Sequence, residues 1–215
     1  MISIITGKPG SGKTYILAKL AKDYLRRGLS VYCNIPLRTT DLNYHYFQEW
    51  YDVMNAKNGV IIMDEAQYYL NCRKWDDLPF ELQYKLQQHR KQGLNIWGAV
   101  QHINRLDVVM RELVNNYYEV RKIGTGENIG GGWPDHPFGL FFLFQYDPKD
   151  ANRVKRSLFS LQFHFLSKSI CDFYDTSAEY GLPKEKSDQN VASVKVEICP
   201  YCKSKKVKWS TLHRS

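Results

Sequence analysis

The segment that most constrains the fold is Gly7-Lys8-Pro9-Gly10-Ser11-Gly12-Lys13-Thr14, a full match to the phosphate-loop pattern G-x-x-x-x-G-K-[ST]. Before it stands the apolar run Ile2-Ser3-Ile4-Ile5-Thr6, which reads as a buried strand. After it, Ile16, Leu17, Leu20, Ala21 and Tyr24 recur at helical spacing, which predicts a helix over 15–25. Strand, glycine-rich loop and helix in that order let backbone N–H groups and a helix N-terminus converge on a polyphosphate. In such a loop Lys13 reaches the β- and γ-phosphates and the Thr14 hydroxyl binds Mg²⁺. The pattern implies binding of a nucleoside triphosphate.

A second pair of residues bears on the fate of the bound nucleotide. Gly59-Val60-Ile61-Ile62-Met63 is a short apolar run that ends at once in Asp64-Glu65-Ala66-Gln67. A carboxylate at the tip of a buried strand beside a phosphate loop holds the Mg²⁺ shell, the role expected of Asp64. A second carboxylate next to it can polarise water, the role expected of Glu65. A kinase keeps water from the γ-phosphate, so the adjacent glutamate favours hydrolysis over transfer to another acceptor.

Composition fits an enzyme with a polyanionic partner. The 215 residues suffice for a sizeable core, and 43% are hydrophobic, too many for a mainly disordered chain. Lys and Arg number 30 against 22 Asp and Glu, a formal net charge of +8 that suits DNA. No apolar run approaches the ~20 residues of a membrane span, and with a strand predicted from residue 2 no signal peptide is expected. A cytoplasmic protein is expected.

Apolar runs alternate with helical patterns along the first half. Strands are predicted over 29–33, 59–63, 94–100 and 117–123, and helices over 44–54, 80–92 and 106–113. Such alternation places helices on both faces of a mostly parallel sheet. Ligands then gather at the carboxyl ends of the strands. A five-stranded core is expected in residues 1–125. After the glycine-dense stretch 124–134, residues 138–146 and 153–165 show strand-like alternation, so a β extension is expected over 138–175. These parts make one domain, 1–180. A polar linker is expected over 181–198, then a basic, cysteine-containing tail over 199–215.

Three segments together, GKPGSGKT (7–14), VIIMDEAQ (60–67) and HRKQGLNIWGAVQH (89–102), resemble the ATPase domain of the zonula occludens toxin-like family. That family includes the assembly ATPases of filamentous phages and lies near FtsK/HerA-type DNA motors and viral genome-packaging ATPases. The resemblance implies an α/β P-loop NTPase fold of the RecA/ASCE type, bound ATP and Mg²⁺, and a homo-oligomeric ring. Its implied partners are DNA and capsid or virion assembly components. Within that frame Gln101, at the end of the strand between the two nucleotide-binding strands, is expected to sense the γ-phosphate or its water. Arg90 is chosen, over Arg105 and Arg111, as an arginine finger acting across a subunit interface. The apolar runs are too short for the membrane span of extrusion ATPases, which moves the expectation toward packaging or translocation. The alternatives are an export ATPase of the zonula occludens toxin type and a nucleotide-gated adaptor without sustained turnover.

The cysteines are Cys33, Cys72, Cys171, Cys199 and Cys202, an odd number that argues against a disulfide framework. Cys199-Pro200-Tyr201-Cys202 is half of a zinc-ribbon knuckle, and two thiolates do not complete a tetrahedral Zn²⁺ site. His213, Cys171, His164 or a second subunit are candidates for the rest; free thiols or a redox pair are the alternatives.

Overall fold

The computed structural model describes residues 1–70, 80–123, 139–150, 156–174, 196–198 and 205–207. It divides into two units, Met1–Tyr180 and Gly181–Ser215.

In the first unit, eight strands form one sheet in the order β3-β2-β4-β5-β1-β6-β7-β8. They are β1 (Ile2–Thr6), β2 (Ser30–Cys33), β3 (Tyr44–Tyr46), β4 (Gly59–Met63), β5 (Asn95–Val100), β6 (Asn116–Ile123), β7 (Leu140–Tyr146) and β8 (Leu158–Phe165). β1 to β6 pair in parallel, and β7 and β8 add to β6 as antiparallel strands. The helices are α1 (Lys13–Arg26), α2 (Phe80–Gln87), α3 (Val108–Leu113) and α4 (Lys168–Cys171).

Both faces of the central strands are buried, and the period-2 geometry of a strand divides their side chains between two cores. Ile2 and Ile4 of β1, Ile61 and Met63 of β4 and Ile96 of β5 join Leu82 and Leu86 of α2 and Met110 of α3 on one side. Ile5, Val60, Ile62 and Ala99 point the other way, against Ile16, Leu17 and Ala21 of α1. The expected mixed α/β architecture with helices on both faces is therefore present.

Four expectations need correction. The helix predicted over 44–54 is instead strand β3 followed by a short 3₁₀ turn, Trp50–Val53. β3 is drawn into the sheet by its register with β2, Val31 opposite Tyr44 and Cys33 opposite Tyr46. The Tyr44 hydroxyl then locks the connection, donating to Ile35 O at 2.8 Å and accepting from Leu37 N at 3.2 Å. The parallel part consequently has six strands within residues 1–125 rather than five. The helix expected to reach residue 92 ends at Gln87, and the one expected over 106–113 starts at Val108, where the Asp107 carboxylate caps Val109 N at 2.7 Å.

In the second unit, β9 (Val196–Ile198) and β10 (Lys205–Val207) form an antiparallel pair, so the expected linker 181–198 ends in a strand. Cys72, Cys199, Cys202 and His213 lie outside the described residues. The zinc expectation therefore falls there too, and the described residues contain no cluster of three or more His, Cys, Asp or Glu able to hold a metal.

Candidate active site

β5 lies between β1 and β4, which sets the phosphate loop and the acidic pair on neighbouring carboxyl ends of the sheet. The loop leaves β1 at Gly7 and enters α1 through Gly12, whose φ of +94° lies in the left-handed region that glycine tolerates best. A Cβ at Gly12 would also overlap the Phe141 ring of β7. Phe141 in turn stacks on Tyr15 of α1, with ring centroids 4.8 Å apart. The β extension thus packs directly behind the loop.

Lys13 is buried, and its ammonium donates to Gly7 O at 3.0 Å and Lys8 O at 3.1 Å, folded back across the loop it serves. Ser11 Oγ, also in the loop, is buried without a hydrogen-bond partner among the described residues. An ammonium held only by carbonyls and an orphaned hydroxyl fit a loop built to take an anion. Lys8 and Pro9 project outward and are exposed, as is the Gly10 turn.

The Thr14 hydroxyl donates to Asp64 Oδ2 at 2.6 Å. This contact joins the two residues expected to share Mg²⁺ and shows that α1 and the tip of β4 bring oxygens to one point. A hydroxyl and a carboxylate so placed are hard donors suited to Mg²⁺. Asp64 is itself buried, and its backbone is held by a residue that the sequence did not single out. Asp64 N–H donates to Asn34 Oδ1 at 2.7 Å, and Asn34 Nδ2 donates to Asp64 O at 2.9 Å. Asn34 follows β2, whose register with β4 sets Cys33 opposite Ile62 and so carries the next residue beside the acidic pair.

Glu65 adopts φ +47°, ψ +47°, a left-handed conformation unusual for a non-glycine residue, at the start of the 3₁₀ turn Ala66–Tyr68. Its N–H donates to Asp64 Oδ1 at 3.0 Å, and its carboxylate accepts a short bond from Gln67 Nε2. Gln67 is buried, so the base candidate is braced from behind. Such strain persists where surrounding contacts over-determine it, a property common at functional sites.

Gln101 directly follows β5, whose Val100 is paired with Thr6 of β1, so it sits at the carboxyl edge beside the loop. Arg90 is brought to a different place. It is exposed in the α2–β5 connection, and its charge bears on the Met1 amino group at the amino end of β1. The length of β1, five residues or about 16 Å, separates that end from the loop. Arg111 is bonded through Nη1 to Asn104 Oδ1 at 3.3 Å. Arg121 of β6 carries no mark in the sequence pattern. It lies two residues beyond the Thr6–Glu119 pair, level with the start of the loop, and is held by Glu119 at 2.8 Å.

Burial raises the pKa of the Cys33 thiol far above its usual value, with the Asp64 charge adding to the effect. Cys33 is therefore a neutral packing residue under the acidic pair, not a nucleophile.

A family model for zonular occludens toxin (Zot) bears directly on this arrangement. Residues 36–130 match it. That stretch carries the acidic pair, Gln67, Gln101 and β6, and begins after the phosphate loop. Among solved structures, the N-terminal domain of zonular occludens toxin from Neisseria meningitidis aligns with a TM-score of 0.51 and 24% identity. The alignment covers 81% of this chain and 98% of that one. The genome packaging NTPase B204 from Sulfolobus turreted icosahedral virus 2, in complex with ATP-γ-S, aligns with a TM-score of 0.48 and 13% identity over 76% and 96% of the two chains. The flagellar accessory protein FlaH from Methanocaldococcus jannaschii gives 0.43 and 13% over 75% and 88%. The Zot-domain likeness bears on fold: a mixed-sheet α/β P-loop domain. No curated protein matches the chain. No described helix is long and apolar enough to cross a membrane.

Proposed function

We propose that this chain is an ATP-hydrolysing motor of the viral or phage type that packages or translocates DNA. The observation that carries the reading is the 2.6 Å contact between Thr14 Oγ1 and Asp64 Oδ2 at the mouth of the glycine-rich loop, with Glu65 next in line. Lys13 leaves its two loop carbonyls to meet the β- and γ-phosphates, and the loop N–H groups and Ser11 Oγ take the remaining oxygens. Thr14 and Asp64 would hold Mg²⁺, which when bound neutralises phosphate charge. Glu65, braced by Gln67, orients and deprotonates the attacking water. Gln101, one strand away, reads the γ-phosphate. Arg90 is too far from the loop of its own subunit to serve it, so a finger role for it requires a neighbouring copy in a homo-oligomer.

The DNA part of the reading rests on the net charge of +8 and on the match of residues 36–130 to the Zot model. The steady-state ATPase rate with and without single- and double-stranded DNA tests it. A several-fold stimulation by DNA is expected. Turnover indifferent to both forms would remove the motor, and nucleotide binding without turnover would leave a nucleotide-gated adaptor.

A further inference from the structure

β8 closes the described sheet on one side and pairs only with β7, so one row of its backbone N–H and C=O groups faces outward. Phe159-Ser160-Leu161-Gln162-Phe163-His164-Phe165 is symmetric in polarity about Gln162. Phe159, Leu161, Phe163 and Phe165 share one face and are 67%, 38%, 56% and 70% exposed. β7 places Phe142 and Phe144 beside them, opposite Phe163 and Leu161. The other face turns toward α1, where His164 Nδ1 lies 2.9 Å from Lys19 Nζ. The strand has no Lys, Arg, Asp, Glu or Pro, so it lacks the charges and breaks that keep natural edges apart.

Aromatic rows can also stack on bases, but that use requires cations available to phosphate. Among the described residues, the two arginines of this face are already engaged. Arg121 and Arg156 bond the same Glu119, at 2.8 and 2.6 Å, and lie over Phe144 and over Tyr117 and Tyr146 respectively. A neutral, apolar occupant with its own free strand edge suits this face better.

We propose that β8 pairs antiparallel with β8 of a second copy of this chain, about a two-fold axis at Gln162. In that register Phe159 faces the partner's Phe165, Leu161 faces the partner's Phe163, and Ser160 faces the partner's His164. Apolar side chains meet apolar ones and polar meet polar, as a self-complementary isologous contact requires. At roughly 150–250 Å² per large side chain, the four exposed residues offer about 450 Å² per copy. Edge pairing covers the facing flanks of these side chains, a part of that area, and the strand-to-strand hydrogen bonds supply the rest of the contact. The pairing also has a route to the phosphate loop, because Tyr15 OH donates to Phe165 O at 2.8 Å and Phe141 packs behind Gly12.

The full chain is tested by light scattering between about 1 and 100 μM, a range that spans ordinary specific affinities. Wild type should have the mass of two copies, twice 25.2 kDa. Leu161→Glu and Phe163→Lys should each run as single copies with unchanged circular dichroism. Their equimolar mixture should recover the two-copy mass, because the glutamate of one lies opposite the lysine of the other. In a separate arm, Gln162→Cys should form a disulfide-linked dimer on mild oxidation, whereas Ser160→Cys should not. Any of three results overturns the proposal: a single-copy mass for wild type at 100 μM, no rescue on mixing two folded variants, or equal cross-linking at 160 and 162. Variants that keep the wild-type mass but lose affinity for a thymidine oligonucleotide would show instead a nucleic-acid platform, and would also overturn it.

Discussion

Replacing Asn34 with alanine removes two hydrogen bonds that fix the Asp64 backbone from either side, at 2.7 and 2.9 Å. Asn34 is 6% exposed and Asp64 3%, so water does not readily replace the lost partner. An orphaned buried backbone group costs about 1–3 kcal/mol, so two should cost about 2–6 kcal/mol. For a unit of this size each 1 kcal/mol shifts Tm by roughly 2–4 °C, which gives a fall of about 4–24 °C. The catalytic effect should be larger than the stability effect suggests. Asp64 carries the oxygen that meets Thr14, and a displacement of about 1 Å at such a site costs on the order of 10²-fold in rate. The informative measurement is single-turnover ATP hydrolysis well below the variant's Tm, beside calorimetry. Asn34→Asp refines it: the carboxylate still accepts from Asp64 N–H but sets an oxygen against Asp64 O, so it should be no better than alanine. If Asn34→Ala loses its Tm yet hydrolyses ATP within a few-fold of wild type, Asn34 is only a packing residue and the positioning role fails.

Gly12→Ala should cost about 2–4 kcal/mol in urea unfolding, from the left-handed backbone and the overlap with Phe141, and should abolish binding of a fluorescent ATP analogue. Adding Phe141→Leu should relieve the overlap but not the backbone, recovering only part of the stability. His89 is buried, and burial first, then the nearby Met1 amino group and Arg90, lowers its pKa below the usual 6.5 against the opposing pull of its bond to Leu86 O. Above pH 6.5 it is neutral folded or unfolded. Below that value the unfolded chain takes the proton more readily, so stability should fall as pH drops, by at most about 1.4 kcal/mol per unit. His89→Asn should flatten that acid slope between pH 6.5 and 5, and a slope unchanged by the substitution would assign the effect to other groups, His164 first.

What was legible in the chain was what local pattern dictates. A glycine-rich loop needs a strand before it and a helix after it, and β1, the loop and α1 occupy those places. The run 59–63 ends in two carboxylates, and β4 delivers Asp64 to Thr14 as that pattern implies. Misreadings came where partners distant in sequence decide the outcome. Tyr44–Tyr46 lies in an aromatic-rich stretch that reads as helical, but pairing with β2 makes it a strand. Asn34 carries no local mark, because its role exists only through the β2–β4 register. Arg90 lies in a segment that resembles the family well, yet the helix-to-strand connection that holds it falls at the amino ends of the strands, away from the loop. The alternation in β8 identified the strand but not that its apolar row would be left exposed.

The central claim is that Glu65 activates water on an ATP held by the phosphate loop, Thr14 and Asp64. Single-turnover hydrolysis by Glu65→Gln, with ATP affinity measured alongside, tests it most directly. The substitution keeps the side-chain volume and removes the base. ATP binding should stay within about three-fold of wild type while hydrolysis slows by roughly 10²–10⁴-fold. Hydrolysis at the wild-type rate, with ATP bound equally well, would contradict the claim.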